Sequence, residues 1–334
     1  MQNSKKVSFS YSEGIWQGFN YILNNYQNSF IIGQGLWSPW YVGNTMKDLE
    51  EIYGRDRVID TPVSESATTG AAVGAALAGM MPVVVHPRID FMLYAMDSIV
   101  NQAAKWNHMT GGQASVPLTV RGIINRGGEQ GAQHSQALHS WFAHIPGLKV
   151  VMPYSPSDAR DLLIASVLDP NPVIFIDDRW LYEIEEPYSE IKEQPLDSFC
   201  PKLINKGNDI TIVSCGHSTH LAMNSIPLLG KAGISADIID LRVLNQIKTE
   251  VIIDSLNKTG RLLVIDGGWS VCGISSEIIA LVCEQYKDLV KLKSVDRLTI
   301  PFTPAPTSSK LEDIYYISEE NIAKKVNTLI NGER

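Results

Sequence analysis

The sequence predicts an α/β protein of two domains, each with a mostly parallel sheet. Short apolar segments rich in β-branched residues alternate with segments of helical periodicity along most of the chain. A charged, proline-containing stretch interrupts this alternation once, after residue 183. The length of 334 residues fits two domains of ordinary size. Apolar strands that alternate with helices are typical of parallel sheets covered on both faces.

The first predicted domain covers residues 1–185. Its first helix is predicted from apolar residues at helical spacing, namely Ile15, Phe19, Ile22 and Leu23. Further helices are predicted after Glu65 and over residues 91–106 and 157–168. The predicted strands are short, apolar and bounded by glycine, proline or polar residues, and they cover residues 30–33, 57–60, 82–86, 116–120, 149–152 and 172–176.

Residues 186–206 are predicted to form a linker, because they are charged and contain proline. The second domain is then predicted over residues 207–334. Its strands are expected at 210–214, 236–240 and 262–266, and its helices at 220–232, 249–257 and 275–284.

Composition excludes several classes of protein. The net charge of −8 argues against a general nucleic-acid binder, which needs a basic surface. No segment approaches the roughly 20 apolar residues that span a bilayer, so we expect no membrane partner. The four cysteines form no CxxC pair, and the polar residues 1–6 lack a following apolar run. Both observations predict a cytoplasmic location.

Glu65 is a carboxylate at the start of a segment rich in alanine and glycine, Ser66 to Gly79. A carboxyl beside so many small apolar residues is expected to be poorly solvated, which raises a pKa and suits proton exchange with a ligand. The alternative is a structural first-turn residue, favoured by the helix dipole and capped by Ser64 or Thr61. The segment alone leaves both interpretations open.

A second candidate site is the glycine-rich segment of residues 127–136, which contains His134. Glycines allow a loop to approach a ligand closely. We expect His134 to open a helix, where the helix dipole disfavours the imidazolium and leaves a neutral histidine able to exchange protons. The alternative is a histidine that only caps or packs.

Several common site patterns do not occur. Gly33-Gln34-Gly35 follows a predicted strand, but the third glycine of a dinucleotide-binding fingerprint is missing. The sequence contains no P-loop, no GxSxG nucleophile elbow and no HExxH zinc motif.

Taken together, six motifs resemble one family, the β subunits of thiamine-diphosphate-dependent 2-oxo-acid dehydrogenases of the pyruvate, branched-chain and acetoin types. They occur in the order and spacing of that family and extend over nearly the whole chain. The motifs are Asp60-Thr-Pro-Val-Ser-Glu65, Ala72-Val-Gly-Ala-Ala-Leu-Ala-Gly79, Ala132-Gln-His-Ser-Gln136, Pro146-Gly-Leu-Lys-Val-Val151, Asp169-Pro-Asn-Pro172 and Asp266-Gly-Gly-Trp269. The resemblance favours the functional interpretations of Glu65 and His134.

The resemblance implies a transketolase pyrimidine-binding domain followed by a transketolase C-terminal-like domain. It implies that Glu65 hydrogen-bonds the aminopyrimidine ring of thiamine diphosphate and acts in general acid/base catalysis. Phe91 matches the aromatic residue that stacks on this ring. His134 matches the active-site histidine near the acyl group and the incoming lipoyl arm. A potassium ion is implied at Leu118, Ser166, Val167, Asp169 and Asn171, bound mostly through backbone carbonyls.

The sequence lacks the Gly-Asp-Gly motif, followed about 30 residues later by Asn, that binds magnesium and diphosphate in this superfamily. The resemblance therefore implies a separate α subunit that binds magnesium, in an α2β2 heterotetramer. A lipoyl acyltransferase core is a further expected partner.

Three positions depart from the family pattern. Gln34 is predicted to bind the cofactor. It occupies the position at which the family often has an acidic residue that takes part in a proton relay. Arg88, three residues before Phe91, replaces a segment that is typically rich in Phe, Met and Thr. A guanidinium there could bind an extra anionic group of the substrate or form a salt bridge to the α subunit. The third departure, at residues 245–248, replaces a Pro-x-Asp turn.

The resulting functional prediction is a β subunit that supplies the aminopyrimidine half of an active site for decarboxylation of a 2-oxo acid and acyl transfer to lipoamide. The main alternative is a free-standing α/β enzyme that performs decarboxylation and carboligation without a lipoyl partner. The C-terminal half of a split transketolase is disfavoured, because the loop that contains His134 resembles the dehydrogenase type. A non-catalytic scaffold subunit is disfavoured by the joint presence of Glu65, Phe91 and His134.

Overall fold

The structure, a computed structural model, describes residues 8–38, 40–286 and 291–332. Residues 1–6, from which a cytoplasmic location was partly predicted, lie outside this part. The chain divides into two compact units. The first contains the residues up to 125 together with 141–199, and the second contains 126–140 together with the residues from 200 onward.

The first unit contains a six-stranded, entirely parallel sheet in the order β3-β2-β4-β5-β7-β6. A separate antiparallel pair joins β1 to β8. The strands are β1 (Ser8–Ser10), β2 (Ser29–Gln34), β3 (Val58–Thr61), β4 (Met81–His86), β5 (Thr119–Ile124), β6 (Lys149–Val151), β7 (Val173–Asp178) and β8 (Glu185–Pro187). The predicted α/β class with a mostly parallel sheet is confirmed.

The register of this sheet brings the carboxyl ends of distant segments to one edge. Gln34 at the end of β2 pairs with Thr61 at the end of β3. His86 at the end of β4 pairs with Gly122 of β5. Ligands of open parallel sheets bind at this edge.

The helices of the first unit are α1 (Tyr11–Asn25), α2 (Leu49–Tyr53), α3 (Glu65–Leu77), α4 (Ala104–Met109) and α6 (Pro156–Val167), while α5 (His139–Ala143) crosses the boundary between the units. A capping box between Ser10 and Glu13 starts α1. The apolar residues that predicted α1 are buried, as expected. Helix α1 packs on α6, and the glycines Gly14 and Gly18 face Pro156 and Leu163 at this contact.

The segment after β4 differs from the single helix predicted over residues 91–106. It consists of a 3-10 helix (Ile89–Ala95), a π-helix (Asp97–Ala103) and then α4. Ile89 and Met92 in the first turn of the 3-10 helix pack directly against Gly122 of β5, because this glycine has no side chain. This packing explains why a regular α-helix does not start there.

A buried ion pair connects β5 to β7. Arg121 donates to both carboxylate oxygens of Asp177, at 2.9 and 2.7 Å. The Tyr182 hydroxyl donates to the same carboxylate at 2.6 Å, and Arg121 also donates to the Thr45 hydroxyl at 2.9 Å. Because every partner is buried and hydrogen-bonded, the pair can be accommodated in the core and fixes the loop that carries Thr45.

The predicted linker contains ordered structure. Strand β8 pairs with β1, and the backbone N–H of Ser157 donates to the carboxylate of Glu186. The buried Arg160 donates to the carbonyls of Ser189 and Glu190, at 2.7 and 2.8 Å. The charged stretch is therefore attached to the first unit by hydrogen bonds that its composition does not reveal.

The second unit contains a five-stranded sheet in the order β13-β12-β10-β11-β9, in which only β9 is antiparallel to its neighbour. The strands are β9 (Lys202–Asn205), β10 (Ile210–Ser214), β11 (Ala236–Asp240), β12 (Arg261–Trp269) and β13 (Ser294–Ile300). The helices are α7 (His217–Lys231), α8 (Glu250–Thr259), α9 (Ile274–Gln285), α10 (Ser309–Tyr315) and α11 (Glu319–Asn331). Within this unit, α7 and α11 bury an apolar cluster against the sheet.

Among the described residues, no helix combines the length and apolar character needed to cross a bilayer.

Candidate functional site

A small pocket lies at the carboxyl edge of the parallel sheet in the first unit. Glu65 is the only charged residue among those that line it. The remaining walls come from strand ends and from the first turns of α3, namely Gly33, Gln34, Thr61, Pro62, Ser64, Thr68, Val85, His86 and Pro87. The pocket therefore combines one carboxylate with hydroxyl, amide, imidazole and apolar groups.

Glu65 is the first residue of α3, directly after the turn that follows β3. The structural alternative had Ser64 or Thr61 cap this helix, and for Ser64 that is wrong, since it occupies the cap position but its side chain makes no capping hydrogen bond. A carboxylate in a first turn is favoured by the helix dipole. In this chain Glu65 is only partly buried, so the expected poor solvation is not complete here.

Gln34 reaches the pocket from the end of β2. Its side-chain Nε2 donates to the hydroxyl of Tyr41 at 2.8 Å. The turn after Gln34 is fixed by Asp60, whose carboxylate accepts from the N–H of Gly35 at 2.6 Å. The amide of Gln34 is thus oriented by the hydroxyl of Tyr41.

His86 is a buried lining residue that sequence analysis did not identify as part of the site. Its Nε2 lies 3.2 Å from Oγ1 of Thr69 on α3. Burial lowers the pKa of His86 to about 4, so its imidazole is neutral near pH 7. The sequence could have indicated this role, because His86 is the last residue of a predicted strand and the carboxyl ends of parallel strands meet at the ligand-binding edge of the sheet.

Phe91 lies on the 3-10 helix that follows β4, and this helix packs against α3. The structure therefore brings the elements that carry Glu65 and Phe91 together, and the Phe91 ring is partly exposed. Arg88 precedes this helix directly and is also partly exposed.

His134 does not open a helix. It lies in a turn, where its N–H donates to the carbonyl of Gly131 at 3.3 Å, and α5 begins only at His139. The predicted effect of a helix dipole on His134 is therefore wrong. The imidazole is partly exposed at the tip of the loop.

The loop that carries His134 belongs to the second unit, which the sequence did not indicate. The N–H of Gly127 donates to the Tyr316 hydroxyl at 3.3 Å, and the N–H of Glu129 donates to the carboxylate of Glu312 at 3.1 Å. Glu129 in turn accepts from the N–H of Ser309 at 3.2 Å. These contacts position the loop on helix α10 and its flanking residues.

Two sequence families match successive parts of the chain. "Transketolase, pyrimidine binding domain" matches residues 8–184, and "Transketolase, C-terminal domain" matches residues 202–322. The acetoin:2,6-dichlorophenolindophenol oxidoreductase subunit beta of Cupriavidus necator is 39% identical over 282 residues, which cover 83% of this chain and 81% of that protein. The chain belongs to the family of 2-oxo-acid dehydrogenase β subunits.

A second member of this β-subunit family supports the assignment. The mitochondrial pyruvate dehydrogenase E1 component subunit beta of Dictyostelium discoideum is 37% identical over 304 residues, which cover 89% of this chain and 85% of that protein. A solved structure described as "Split gene transketolase, inactive beta4 tetramer" has a TM-score of 0.78 at 16% identity. It covers 98% of this chain and 99% of that chain, and it shows that the fold is shared.

The groups that line the Glu65 pocket have the chemistry that the aminopyrimidine of thiamine diphosphate, the cofactor of this family, requires. A flat heterocycle needs apolar walls, an acid at its ring nitrogen and few competing charges. The pocket offers Glu65 as its single acid, with Gln34 and Thr61 as further polar groups. None of its lining residues is a cation, so this pocket provides no cationic side chain to a diphosphate.

In the part of the chain that the structure describes, no group of three or more His, Cys, Asp or Glu side chains is arranged to hold a metal ion. The five predicted potassium ligands all lie in the first unit, and four of them are in one stretch from Ser166 to Asn171. The carbonyl of Leu118 accepts from the N–H of Val173 at 2.9 Å, and that of Ser166 accepts from Leu168.

The side-chain carboxylate of Asp169 is already paired within the chain. Its Oδ2 lies 2.6 Å from Nζ of Lys149, and its Oδ1 accepts from the N–H of Asn171 at 2.9 Å. Lys149 also contacts Asp197 at 2.7 Å. Burial alone would lower the pKa of Lys149, but the carboxylates of Asp169 and Asp197 outweigh burial, so the pKa of Lys149 is raised above its ordinary value. The charge of Asp169 is therefore balanced within the chain.

Proposed function

We propose that this chain is the β subunit of a thiamine-diphosphate-dependent 2-oxo-acid dehydrogenase and supplies the aminopyrimidine half of its active site. The observation that carries the proposal is the pocket at the carboxyl edge of the parallel sheet, where Glu65 is the single acid. Membership in the β-subunit family supports the same function.

Bound thiamine diphosphate supplies a nucleophilic carbon and an electron sink for decarboxylation. Glu65 holds a proton at the aminopyrimidine ring nitrogen and exchanges it during the reaction, which is a general acid/base role. Gln34 borders the same pocket and is held in place by Tyr41. Phe91 offers a partly exposed aromatic face for stacking on the ring.

His134 is proposed to act on the acyl group during transfer to a lipoyl arm. It is partly exposed on a loop that the second unit holds by several hydrogen bonds, so it can meet a large incoming substrate in a defined position. A neutral imidazole accepts a proton and an imidazolium donates one, so a histidine side chain can serve as base or acid in acyl transfer.

The missing half of the site is assigned to an α subunit. Because the sequence lacks the Gly-Asp-Gly motif that binds magnesium and diphosphate in the superfamily, we propose that both are bound by that subunit in an α2β2 heterotetramer. A lipoyl acyltransferase core is the proposed acceptor of the acyl group.

Potassium is proposed at the carbonyls of Leu118, Ser166 and Val167, near Asp169 and Asn171. A carbonyl oxygen has two lone pairs, so one that already accepts a hydrogen bond can still bind a cation. Since Lys149 pairs with Asp169, the ion would be bound mainly by neutral oxygens.

We also infer a cytoplasmic location, which the absence of disulfides among the described cysteines supports.

The decisive experiment is decarboxylation of 2-oxo acids with a dye acceptor by the chain co-expressed with its α subunit. Glu65→Gln preserves the size of the side chain but cannot exchange the proton, so we expect a loss of at least about 100-fold in kcat. Glu51→Gln is the matched control, because Glu51 is an exposed acid of α2 in the same unit. Wild-type turnover in Glu65→Gln would contradict the proposed mechanism.

A lipoyl domain added to the same assay distinguishes the dehydrogenase from a carboligase. A dehydrogenase forms acyl-lipoamide, whereas a carboligase transfers the acyl unit to an aldehyde or ketone. In the dehydrogenase, His134→Ala should reduce acyl-lipoamide formation more than dye reduction, because only the former needs the lipoyl arm.

A further inference from the structure

His86 lines the Glu65 pocket but has no part in the proposed mechanism. It is the last residue of β4, at the carboxyl edge of the parallel sheet. Only 3% of its surface is exposed, and because it lines this pocket, the little surface that it keeps is directed at the pocket. The fold therefore holds a polar side chain in a defined position where such sheets bind ligands.

The imidazole of His86 is oriented from helix α3. Among the residues that the structure describes, its one hydrogen-bond partner is Thr69, whose Oγ1 lies 3.2 Å from Nε2. Thr69 is fully buried and does not line the pocket, whereas its neighbour Thr68 does. Nε2 is therefore used for a contact with α3. Because the ring is rigid, this contact also fixes the direction of the other ring nitrogen, Nδ1.

Nδ1 of His86 has no hydrogen-bond partner in the described part of the chain. It differs from Nδ1 of His139, which also lacks a partner but is completely enclosed by the protein. Nδ1 of His86 is thus unpaired and still accessible, although the residue as a whole is buried. Buried polar groups are normally hydrogen-bonded, so a molecule that enters the pocket is the natural partner of this nitrogen.

The protonation state of His86 determines what Nδ1 can do. Burial lowers the pKa of His86 to about 4, so the imidazole is neutral near pH 7. A neutral imidazole has one nitrogen that donates and one that accepts. The hydroxyl of Thr69 can accept from Nε2–H, which leaves Nδ1 as an acceptor.

We propose that Nδ1 of His86 accepts a hydrogen bond from the exocyclic amine of the aminopyrimidine and so positions the ring against Glu65. This inference rests on the proposed function and adds a cofactor-binding residue to the same site. Glu65 acts at a ring nitrogen, so the amine of that ring needs a separate acceptor. A neutral acceptor suits the amine, since a second carboxylate would compete for the proton that Glu65 exchanges.

The experiment compares two substitutions of His86 in the complete α/β complex. The amide of asparagine reaches about as far as Nδ1 of histidine, and that of glutamine reaches about as far as Nε2. His86→Asn therefore keeps an acceptor for the pocket but loses the contact to Thr69. His86→Gln keeps the contact to Thr69 but loses the acceptor. Isothermal titration calorimetry with thiamine diphosphate and magnesium measures binding, and thermal unfolding measures stability.

His86→Gln should weaken the binding of thiamine diphosphate about tenfold, because the amine is left without its acceptor. His86→Asn should bind within about threefold of wild type, although it should unfold at a lower temperature. For 4′-deaminothiamine diphosphate, whose ring lacks the amine, His86→Gln and wild type should bind equally. His108→Gln is the matched control, since His108 is exposed on α4, and it should change neither binding nor stability.

Two results would overturn the inference while leaving the proposed function intact. One is an active complex in which His86→Gln binds thiamine diphosphate as tightly as wild type does. The other is weaker binding of both ligands by His86→Gln, or weaker binding by His86→Asn than by His86→Gln, which would give His86 a structural role only. A wild-type complex that binds no thiamine diphosphate would instead contradict the proposed function itself.

Discussion

Nε2 of His139 lies 3.0 Å from Oδ1 of Asp266, and both side chains are fully buried in the second unit. The same carboxylate accepts from the N–H groups of Gly268 and Ser275, at 2.8 and 3.4 Å. Burial alone would raise the pKa of Asp266, but His139 and these N–H donors lower it. The pair joins the end of the loop that carries His134 to strand β12.

We expect Asp266→Asn to destabilise the protein by about 3 kcal/mol, because it breaks a buried pair and leaves His139 poorly compensated. The His134 loop should also become less ordered, so acyl transfer should fall. Urea unfolding and the lipoyl assay measure the two effects. Asp313→Asn is the control, since Asp313 is exposed on α10 in the same unit. An unfolding free energy within about 0.5 kcal/mol of wild type would show that the pair does not stabilise the loop.

His86 should make stability depend on pH. Its folded pKa of about 4 lies below the ordinary value of 6.5, so the unfolded chain binds the proton first as the pH falls. The stability that neutral His86 contributes is complete above pH 6.5 and is lost between that value and about 4. Between pH 6.5 and 5 the expected loss is about 1.5 kcal/mol.

His86→Gln tests this expectation, because glutamine can still hydrogen-bond Thr69 but does not titrate. Urea unfolding from pH 8 to 5 should show a flatter pH dependence in the variant than in wild type. His108→Gln is a suitable control, since His108 is exposed on α4. Parallel pH profiles of His86→Gln and wild type would contradict the prediction.

Two glycines offer a matched test of helix packing. A Cβ at Gly14 of α1 would lie 2.4 Å from the carbonyl oxygen of Pro156, so Gly14→Ala must push α1 away from α6. We expect a loss of about 2 kcal/mol. A Cβ at Gly74 of α3 would meet nothing within 4 Å, so Gly74→Ala should gain up to about 1 kcal/mol from helix propensity. Thermal unfolding of the isolated chain measures both, and equal effects of the two substitutions would refute the packing argument.

Potassium binding at the carbonyls of Leu118, Ser166 and Val167 should stabilise the first unit. For a dissociation constant of about 10 mM, a potassium concentration of about 100 mM should raise the free energy of unfolding by about 1.4 kcal/mol. Thermal unfolding in potassium chloride should then occur at a higher temperature than in tetramethylammonium chloride of the same concentration. Identical unfolding temperatures in the two salts would remove the proposed site.

Local features of the sequence were sufficient to predict most regular elements. Helix α1 was predicted from apolar residues at helical spacing, whereas strands β2 and β4 were predicted as short apolar runs with flanking glycine, proline or polar residues. The helix that starts at Glu65 was predicted from the small residues that follow it. The predicted roles of Glu65, Phe91 and His134 came from the family resemblance, and they stay predictions.

Features that depend on distant contacts could not be predicted. Strand β8 lies in a charged stretch, and only pairing with β1 makes it a strand. The position of β5 between β4 and β7 depends on contacts between distant segments, which the sequences of the individual strands do not reveal. The absence of a helix at His134 results from hydrogen bonds of its loop to residues far along the chain, such as Glu312.

The assignment of residues 126–140 to the second unit means that the chain crosses between its two units three times. A single cut after residue 199 would place Gly127 and Glu129 on one fragment and Tyr316 and Glu312 on the other. The hydrogen bonds from the backbone N–H groups of Gly127 and Glu129 to the side chains of Tyr316 and Glu312 would then be lost. Neither fragment would then contain a complete fold. Fission of the gene at that point should therefore require the two products to reassociate before the histidine loop can form.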